Sequence, residues 1–236
     1  MPAQAEPQDR ILDAAMRVFR RHGFRRSSIE QAAEEAGLTR QALYHHFKSK
    51  EELFRAVIER LYENALTTEI AAANAAEKAG GSLADILVAQ LTGRLRLAIA
   101  SFDGSPHIEE LFSEHLVQGR DIYQKYAGLY DGQVVATIER VCRKQRLMLA
   151  QGASASDFSR YIVMAINGTK SAYPAMQPVD AFLRDLEIML RTLIAGAVGA
   201  PKPPSIKPRS SHPPRKNPSA PNLEIANEHD DDQRPR

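Results

Sequence analysis

The sequence predicts an all-α protein, and three observations support that fold class. Apolar residues recur at spacings of three and four through most of the chain, as they do on one face of an α-helix. No segment shows the strict alternation of apolar and polar residues that is typical of half-buried strands. The body of the chain is rich in Ala, Leu, Arg, Glu and Gln, which favour helices.

The prolines separate a helical body from a tail. Nine of the 14 prolines lie in residues 201–236, a segment that also lacks aromatic residues. Such a segment buries too little apolar surface to offset the loss of chain entropy on folding. We therefore expect residues 200–236 to form a disordered C-terminal tail.

The first two helices are predicted from their ends. Apolar residues at helical spacing predict a helix over about residues 8–22, and Gly23 is expected to stop it. Ser28 with Gln31 three residues later forms a capping box for a second, short helix. Gly37 is expected to end that helix.

The later helices follow the same logic. Thr39 can cap a third short helix, and a long fourth helix is predicted from about Lys50 to the late 70s. Gly80 and Gly81 then break the pattern. Five more helices are predicted near residues 82–100, 105–118, 121–149, 155–173 and 179–198. Two apolar stripes run along the last of these helices, which suggests contacts with both its own core and another surface.

Composition argues against several classes of function. A single cysteine, Cys142, excludes a disulfide framework or a four-cysteine zinc site; it is interpreted as a small core residue rather than a redox sensor. No apolar run reaches ~18 residues, so no transmembrane helix is expected. The polar start of the chain does not resemble a signal peptide, which favours the cytoplasm. No nucleophile motif or glycine-rich phosphate loop appears, so we expect neither an enzyme nor a cofactor.

The overall formal charge of +2 conceals a local surplus. Between Arg20 and Lys50, seven basic side chains stand against three glutamates. A positive segment of this kind is suited to the phosphates of nucleic acid.

That positive segment contains a candidate helix-turn-helix. The residues from Ala36 to Thr39 separate two short helices, and a glycine between them allows a sharp turn. The second short helix displays several side chains that suit DNA: Arg40, Gln41, Tyr44, His45 and His46. Arg and Gln can form paired hydrogen bonds with guanine and adenine, and the others can reach phosphates.

The run from Leu38 to Leu53, LTRQALYHHFKSKEEL, resembles the recognition-helix segment of the tetracycline-repressor (TetR) family. Upstream, ILDAA, HGF and AAEEAG resemble the first two helices of that family, although Ala32 stands where a larger aliphatic residue is usual. The resemblance covers residues 8–60. It implies a DNA-binding head over residues 8–54 and a helical ligand-binding and dimerisation core over residues 55–199.

The resemblance also implies a function and a set of DNA contacts. The family consists of homodimeric regulators, usually repressors, that leave a palindromic operator when a small molecule binds the core. The implied contacts are Ser28, Thr39, Arg40, Gln41, Ala42, Tyr44, His45, His46 and Lys50. Of these we assign Arg40 and Gln41 to bases, Tyr44, His46 and Lys50 to phosphates, and His45 to either.

Candidates for the effector pocket and the dimer face come from the core. The candidate pocket residues are Phe102, Phe112, Tyr123, Tyr126, Met164 and Asn167, with Tyr130 and Tyr161 as further aromatic candidates. Small residues of the penultimate helix (Ala165, Gly168, Ser171 and Ala172), with the final helix, suggest a four-helix bundle across a two-fold axis. A buried hairpin within one chain is the alternative.

Two further alternatives remain at this point. A metal site could involve four residues spaced along one helix, His107, Glu110, Glu114 and His115, although an ordinary amphipathic helix explains the same pattern. The core could also be a protein-interaction platform without a ligand, in which case it should be solidly packed.

Overall fold

The computed structural model describes residues 7–199, and this segment is largely helical. Its helices are α1 (Pro7–Arg26), α2 (Ile29–Glu35), α3 (Arg40–His46), α4 (Lys50–Lys78), α5 (Leu83–Phe102), α6 (Ile108–Gln118), α7 (Arg120–Gln145), α8 (Ala155–Ala172) and α9 (Val179–Ala197). The predicted all-α fold class is therefore confirmed. The predicted tail, residues 200–236, lies outside the described residues.

Side-chain caps set the starts of several helices. Ser28, Ser49, Ser82 and Ser154 each accept a hydrogen bond from a backbone amide in the first turn of the following helix. Such caps satisfy amide groups that have no partner within the helix. The capping box predicted at Ser28 is present, with Gln31 bonding back to the Ser28 amide at 2.9 Å.

Gly23 interrupts α1 as predicted, because its φ of 75° and ψ of 168° are not helical; a short helical piece follows this break and ends at Arg26. Two details differ from the sequence prediction. The seventh helix ends at Gln145 because Arg146 takes a left-handed conformation, with φ 56°. A two-residue strand, β1 (Met148–Leu149), then pairs antiparallel with β2 (Val198–Gly199). These strands are too short for alternation to reveal them in the sequence.

Two apolar clusters form the interior of residues 7–199. The first joins α1–α4 to residues of α5, α6 and α7, and the second is built mainly from α5, α7, α8 and α9. Phe112 of α6 packs against both clusters. The helix α4 begins in the three-helix head and runs far into the core, so the head shares its longest helix with the rest of the molecule.

None of the helices within residues 7–199 is both long enough and apolar enough to cross a membrane.

Candidate DNA-binding head and effector cavity

The two short helices α2 and α3 form a helix-turn-helix. Gly37 sits in the turn with φ +68°, a conformation that favours glycine. The Leu38 amide donates to the Ala33 carbonyl at 2.9 Å, which closes the turn. Thr39 caps α3 by accepting the Ala42 amide at 3.1 Å. These bonds hold the start of α3 in a fixed relation to α2.

A packed aromatic core supports this motif. Phe54 of α4 contacts Phe19 and Phe24 of α1, with ring centroids 4.9 Å and 4.6 Å apart. Leu43 and Phe47 bury the inner side of α3. Because the inner side is buried, the rest of α3 is left free to face a partner.

The outer side of α3 carries the candidate base-reading residues. Arg40, Gln41, His45 and His46 are exposed, and Tyr44 is half-buried. Within residues 7–199, no hydrogen-bond partner is found for the side chains of Gln41, His45 and His46. Arg40 pairs with Glu30 at 2.9 Å and lies 5.4 Å from the centre of the Tyr44 ring. Arg40 must therefore exchange Glu30 for DNA in order to reach a base.

Tyr44 and Ser28 are held differently from the other candidate contacts. The Tyr44 hydroxyl donates to Glu30 at 3.4 Å, and the Ser28 hydroxyl accepts the Gln31 amide at 3.3 Å. Both residues are half-buried, and a phosphate would have to compete for their hydroxyls with these partners. Their contact with DNA stays a prediction, as does that of Thr39 and Ala42.

Lys50 has a structural role that the sequence did not reveal. Its ammonium donates to the carbonyls of Phe24 and Arg25, at 3.0 Å and 3.4 Å, and lies 4.5 Å from the centre of the Phe24 ring. It thereby ties the start of α4 to the end of α1. Assigning Lys50 to a phosphate alone was incomplete, because its donors are already engaged in holding the head together.

We expect Lys50→Met to lower the free energy of unfolding by about 1–2 kcal/mol, since it removes charge-assisted hydrogen bonds to two carbonyls. Urea denaturation measures the change. Lys48→Met is the matched control, because Lys48 is exposed and bonds only within its own turn, to the Tyr44 carbonyl. Equal stability of the two variants would contradict the structural role of Lys50.

The kink at Gly23 brings the end of α1 against α6. The Arg25 amide donates to Glu110 at 2.8 Å, and its guanidinium donates to Glu114 at 2.9 Å. The Arg26 guanidinium lies 3.1 Å from the His107 ring. We call these contacts the α1–α6 latch. Three of the four residues weighed as metal ligands thus bond to arginines of the head instead.

The core contains a cavity of about 440 Å³, open on one side to solvent and lined by residues of α4 to α8 and the segment that follows α8. Four of the six predicted pocket residues line it: Phe102, Phe112, Tyr123 and Asn167. The other two predicted residues lie outside the lining of this cavity. Tyr126 does not face the cavity; its ring is buried and its hydroxyl donates to Glu63 at 3.1 Å. Met164 points outward from α8 and is 62% exposed.

The two further aromatic candidates lie in different places. Tyr130 lines the cavity, whereas Tyr161 lies in a separate groove beside the end of α9. Residues one turn apart share a side of a helix, so helical spacing does not show where along that side a cavity opens.

Sequence reasoning missed the charged and basic residues of the cavity wall: Arg94, His115, Asp131 and Lys170. A signal existed for Lys170, which follows Ile162 and Ile166 at spacings of four on the inner stripe of α8. A lysine in an apolar stripe indicates either a neighbouring charge or a ligand.

A buried ion pair stands beside the cavity. Glu69 is fully buried, lies 3.0 Å from the Arg94 guanidinium and accepts a hydrogen bond from Gln90 at 2.8 Å. Burial raises the pKa of Glu69, while Arg94 and Gln90 act in the opposite direction. Arg94 also lies 4.2 Å from the centre of the Tyr130 ring. The charge of Arg94 is thus compensated before any ligand enters.

The arrangement defines a class of protein before any comparison is made. A positively charged helix-turn-helix, whose outer side chains suit base edges, is latched to a helical core that contains a cavity. This combination is that of a DNA-binding protein with a place for a small molecule.

Comparison with known proteins names the family. Residues 11–57 match the model of the bacterial regulatory proteins of the tetR family. Over 58 residues, a quarter of the chain, the sequence is 41% identical to the transcriptional regulator TtgR of Pseudomonas putida. That match spans 28% of the relative's length. The N-terminal head is a helix-turn-helix domain of the tetR family, and its curated relatives are transcriptional regulators.

Solved structures resemble the fold over most of the chain. The fatty acid degradation regulator FadR of Bacillus halodurans aligns with 82% of this chain and 97% of its own, with a TM-score of 0.62 and 15% identity. FadR of Bacillus subtilis, solved in complex with stearoyl-CoA, covers 80% and 98%, with a TM-score of 0.60 and 16% identity. At these identities the likeness establishes the fold of the core and leaves its ligand open.

Proposed function

We propose that this protein is a homodimeric transcriptional regulator in the cytoplasm, a repressor that a small molecule releases from a palindromic operator. The head, residues 8–54, binds DNA, and the core, residues 55–199, binds the effector and the second subunit. The observation that carries the proposal is that one helix, α6, lines the cavity and also holds the head.

The dual role of α6 gives a route from the effector to DNA. Phe112 and His115 contribute to the cavity wall, while Glu110 and Glu114 hold Arg25. An effector that displaces α6 therefore strains or breaks the α1–α6 latch and changes the position of the head. Because packed helices have discrete arrangements, a small shift in the cavity is sufficient to change the preferred spacing of two heads.

A face of α8 and α9 suits a second copy of the chain. Met164 of α8 is 62% exposed, and Ile188 and Met189 of α9 are 58% and 44% exposed. Gly168 and Ser171 are exposed on α8, and small residues allow helices to approach closely. Most of the two stripes predicted for α9 is turned inward, because Leu183, Leu186 and Leu190 are buried in the chain's own core, whereas Met189 of one stripe stays exposed. The dimer face is therefore the side of α9 that carries Ile188 and Met189.

Dimerisation explains how a small head can bind with specificity. Each head offers few phosphate contacts, and two heads held ~34–36 Å apart combine them on one palindromic site. The second candidate, an interaction platform without a ligand, predicts a solid core. The cavity of about 440 Å³ favours an effector, as does the stearoyl-CoA bound to the Bacillus subtilis relative.

The test of DNA binding is selection of duplexes from a random-sequence pool, followed by footprinting on the enriched sequence. We expect enrichment of a palindrome with two half-sites about one helical turn apart, and protection that weakens as salt rises. A pool that shows no enrichment even at low salt would overturn the proposed function.

Arg40→Ala tests the base assignment. We expect it to lose about 1–3 kcal/mol of discrimination at one base pair of each half-site, with other positions unaffected. Binding to single-substituted operators measures this loss. Arg143→Ala, which removes the same charge from an exposed position of α7 outside the proposed dimer face, is the control and should leave discrimination intact. Loss of affinity without loss of discrimination in Arg40→Ala would assign this residue to the backbone.

A further inference from the structure

The wall of the cavity is mainly apolar and carries two cationic side chains, which differ in whether they are paired with an acidic residue. Leu91, Leu95, Phe102, Ile162 and Ile166 supply apolar surface. Arg94 and Lys170 supply positive charge. Arg94 is paired with Glu69 at 3.0 Å, whereas no acidic partner of Lys170 is found within residues 7–199. One positive charge at the wall is therefore uncompensated.

Lys170 stands at the basic end of the cavity. The carboxylate of Asp131 also lines the cavity, but it is held by the hydroxyl of Ser159. Ser159 and Lys170 are eleven residues apart on α8, about 16 Å along the helix axis at 1.5 Å per residue. Asp131 is therefore at the other end and does not neutralise Lys170.

A second group beside Lys170 also lacks a partner. His115 lines the same cavity, and its Nδ1 is buried without a hydrogen-bond partner in the described part of the chain. Burial lowers the pKa of His115, a hydrogen bond with the Phe112 backbone opposes it, and the positive charge of Lys170 adds to the lowering. The neutral imidazole is therefore favoured, and its ring N–H can serve as a donor to an anion.

We propose that the cavity selects an amphipathic organic anion, with its apolar body among the side chains of α4–α8 and one acidic group beside Lys170. Binding would join the uncompensated ammonium to an opposite charge beside a largely apolar wall, where such a pair is stronger than in bulk water. A neutral molecule of the same shape would leave Lys170 without a partner. The proposal rests on the proposed function only in that it takes this cavity as the effector site.

The charge state of Lys170 gives the proposal a pH signature. The Lys170 side chain is exposed as a whole, but the protein around it partly desolvates its ammonium group; this desolvation first, and the charge of Arg94 second, lower its pKa to about 8. The other charged or titratable groups that line the cavity are Tyr62, Arg94, His115, Tyr123, Tyr130, Asp131 and Tyr173. Burial raises the pKa of Tyr62 and Tyr130, and that of His115 is lowered, so these groups keep their neutral forms between pH 7 and 9. Affinity for a permanently charged anion should fall over this range as Lys170 loses its proton.

The experiment uses two dyes with one skeleton and the full-length protein without DNA. 1-Anilinonaphthalene-8-sulfonate carries a permanent negative charge, and N-phenyl-1-naphthylamine is its neutral counterpart. Lys170→Met should weaken the anionic dye about tenfold, the equivalent of about 1.4 kcal/mol, and leave the neutral dye unchanged or tighter. Lys170→Arg should preserve binding of the anion. Lys125→Met, which removes an exposed cation of α7 outside the cavity, should change neither dye.

A second measurement excludes dye bound to the exposed face of α8 and α9. Decanoate should displace the neutral dye from the wild-type protein more effectively than decan-1-ol does, and Lys170→Met should remove that preference. Equal losses for both dyes, an anionic dye insensitive to Lys170→Met, or absence of binding by either dye would overturn the proposal. Because no DNA is present, failure of these dye experiments would not count against DNA binding, which the operator-selection experiment tests independently.

Discussion

The double variant Met164→Glu/Ile188→Glu is expected to be a folded monomer that binds operator DNA at least about 100-fold more weakly than the wild type. Both side chains are exposed on the proposed dimer face, so neither substitution disturbs the core of the chain. Two pairs of like charges would face each other across a two-fold axis, and charged residues are depleted at interface centres. Without the partner, the second head is lost, and with it the gain from binding two linked half-sites.

Sedimentation velocity and fluorescence anisotropy with labelled operator measure the two effects. Val117→Glu is the control, because Val117 is 69% exposed but lies on α6 rather than on α8 or α9. It should remain dimeric and bind DNA normally. A double variant that stays dimeric with circular dichroism and operator affinity unchanged would place the interface elsewhere.

The second large effect is expected at Gly23, where the kink of α1 meets α6. Its φ of 75° and ψ of 168° are reached almost only by glycine, and an added Cβ would lie 2.6 Å from a Glu110 carboxylate oxygen. Gly23→Ala should therefore incur backbone strain and displace the carboxylate that accepts the Arg25 amide. We expect a loss of about 2–4 kcal/mol in unfolding free energy, from strain together with a weakened hydrogen bond.

Comparison with Gly37→Ala separates the backbone strain from the contact with Glu110. Gly37 also has a positive φ, +68°, but an added Cβ would meet no atom within 4 Å. Gly37→Ala should lose only about 1–2 kcal/mol of unfolding free energy, from the strain of the left-handed conformation. Chemical denaturation of both variants gives the comparison. If Gly23→Ala were no less stable than Gly37→Ala, the contact between Gly23 and Glu110 would not matter for stability.

The sequence predicted the elements of the fold well because helix ends are encoded locally. Ser28 with Gln31, and Thr39 with the Ala42 amide, are capping arrangements within four residues, and they appear as predicted. The apolar spacing of α3 likewise placed Phe47 in the core. Local rules also predicted the break of the helix at Gly23, but not its contact with Glu110, because that contact joins residues that are far apart in the chain.

The lining of the cavity was harder to predict, because it too depends on contacts between residues that are far apart in the chain. Helical spacing shows that a residue lies on an apolar face but does not show whether a cavity or a neighbouring helix covers that face. Tyr126 and Tyr130 are one turn apart on α7, yet only Tyr130 lines the cavity. The approach of Arg94 to Glu69 and the isolation of Lys170 depend on the packing of three different helices. The exposed residues of α3 were easier to anticipate because they lie within one short, recognisable motif.

The central claim is that occupation of the core cavity controls DNA binding by the head. The most direct test measures the operator dissociation constant by anisotropy, with and without a saturating amount of the compound that most raises the Tm in a ligand screen. We predict that the compound raises this constant at least about tenfold, and that operator DNA weakens binding of the compound by the same factor, because coupling between two sites is reciprocal. An operator dissociation constant that stays the same while the cavity is shown to be occupied would contradict the account.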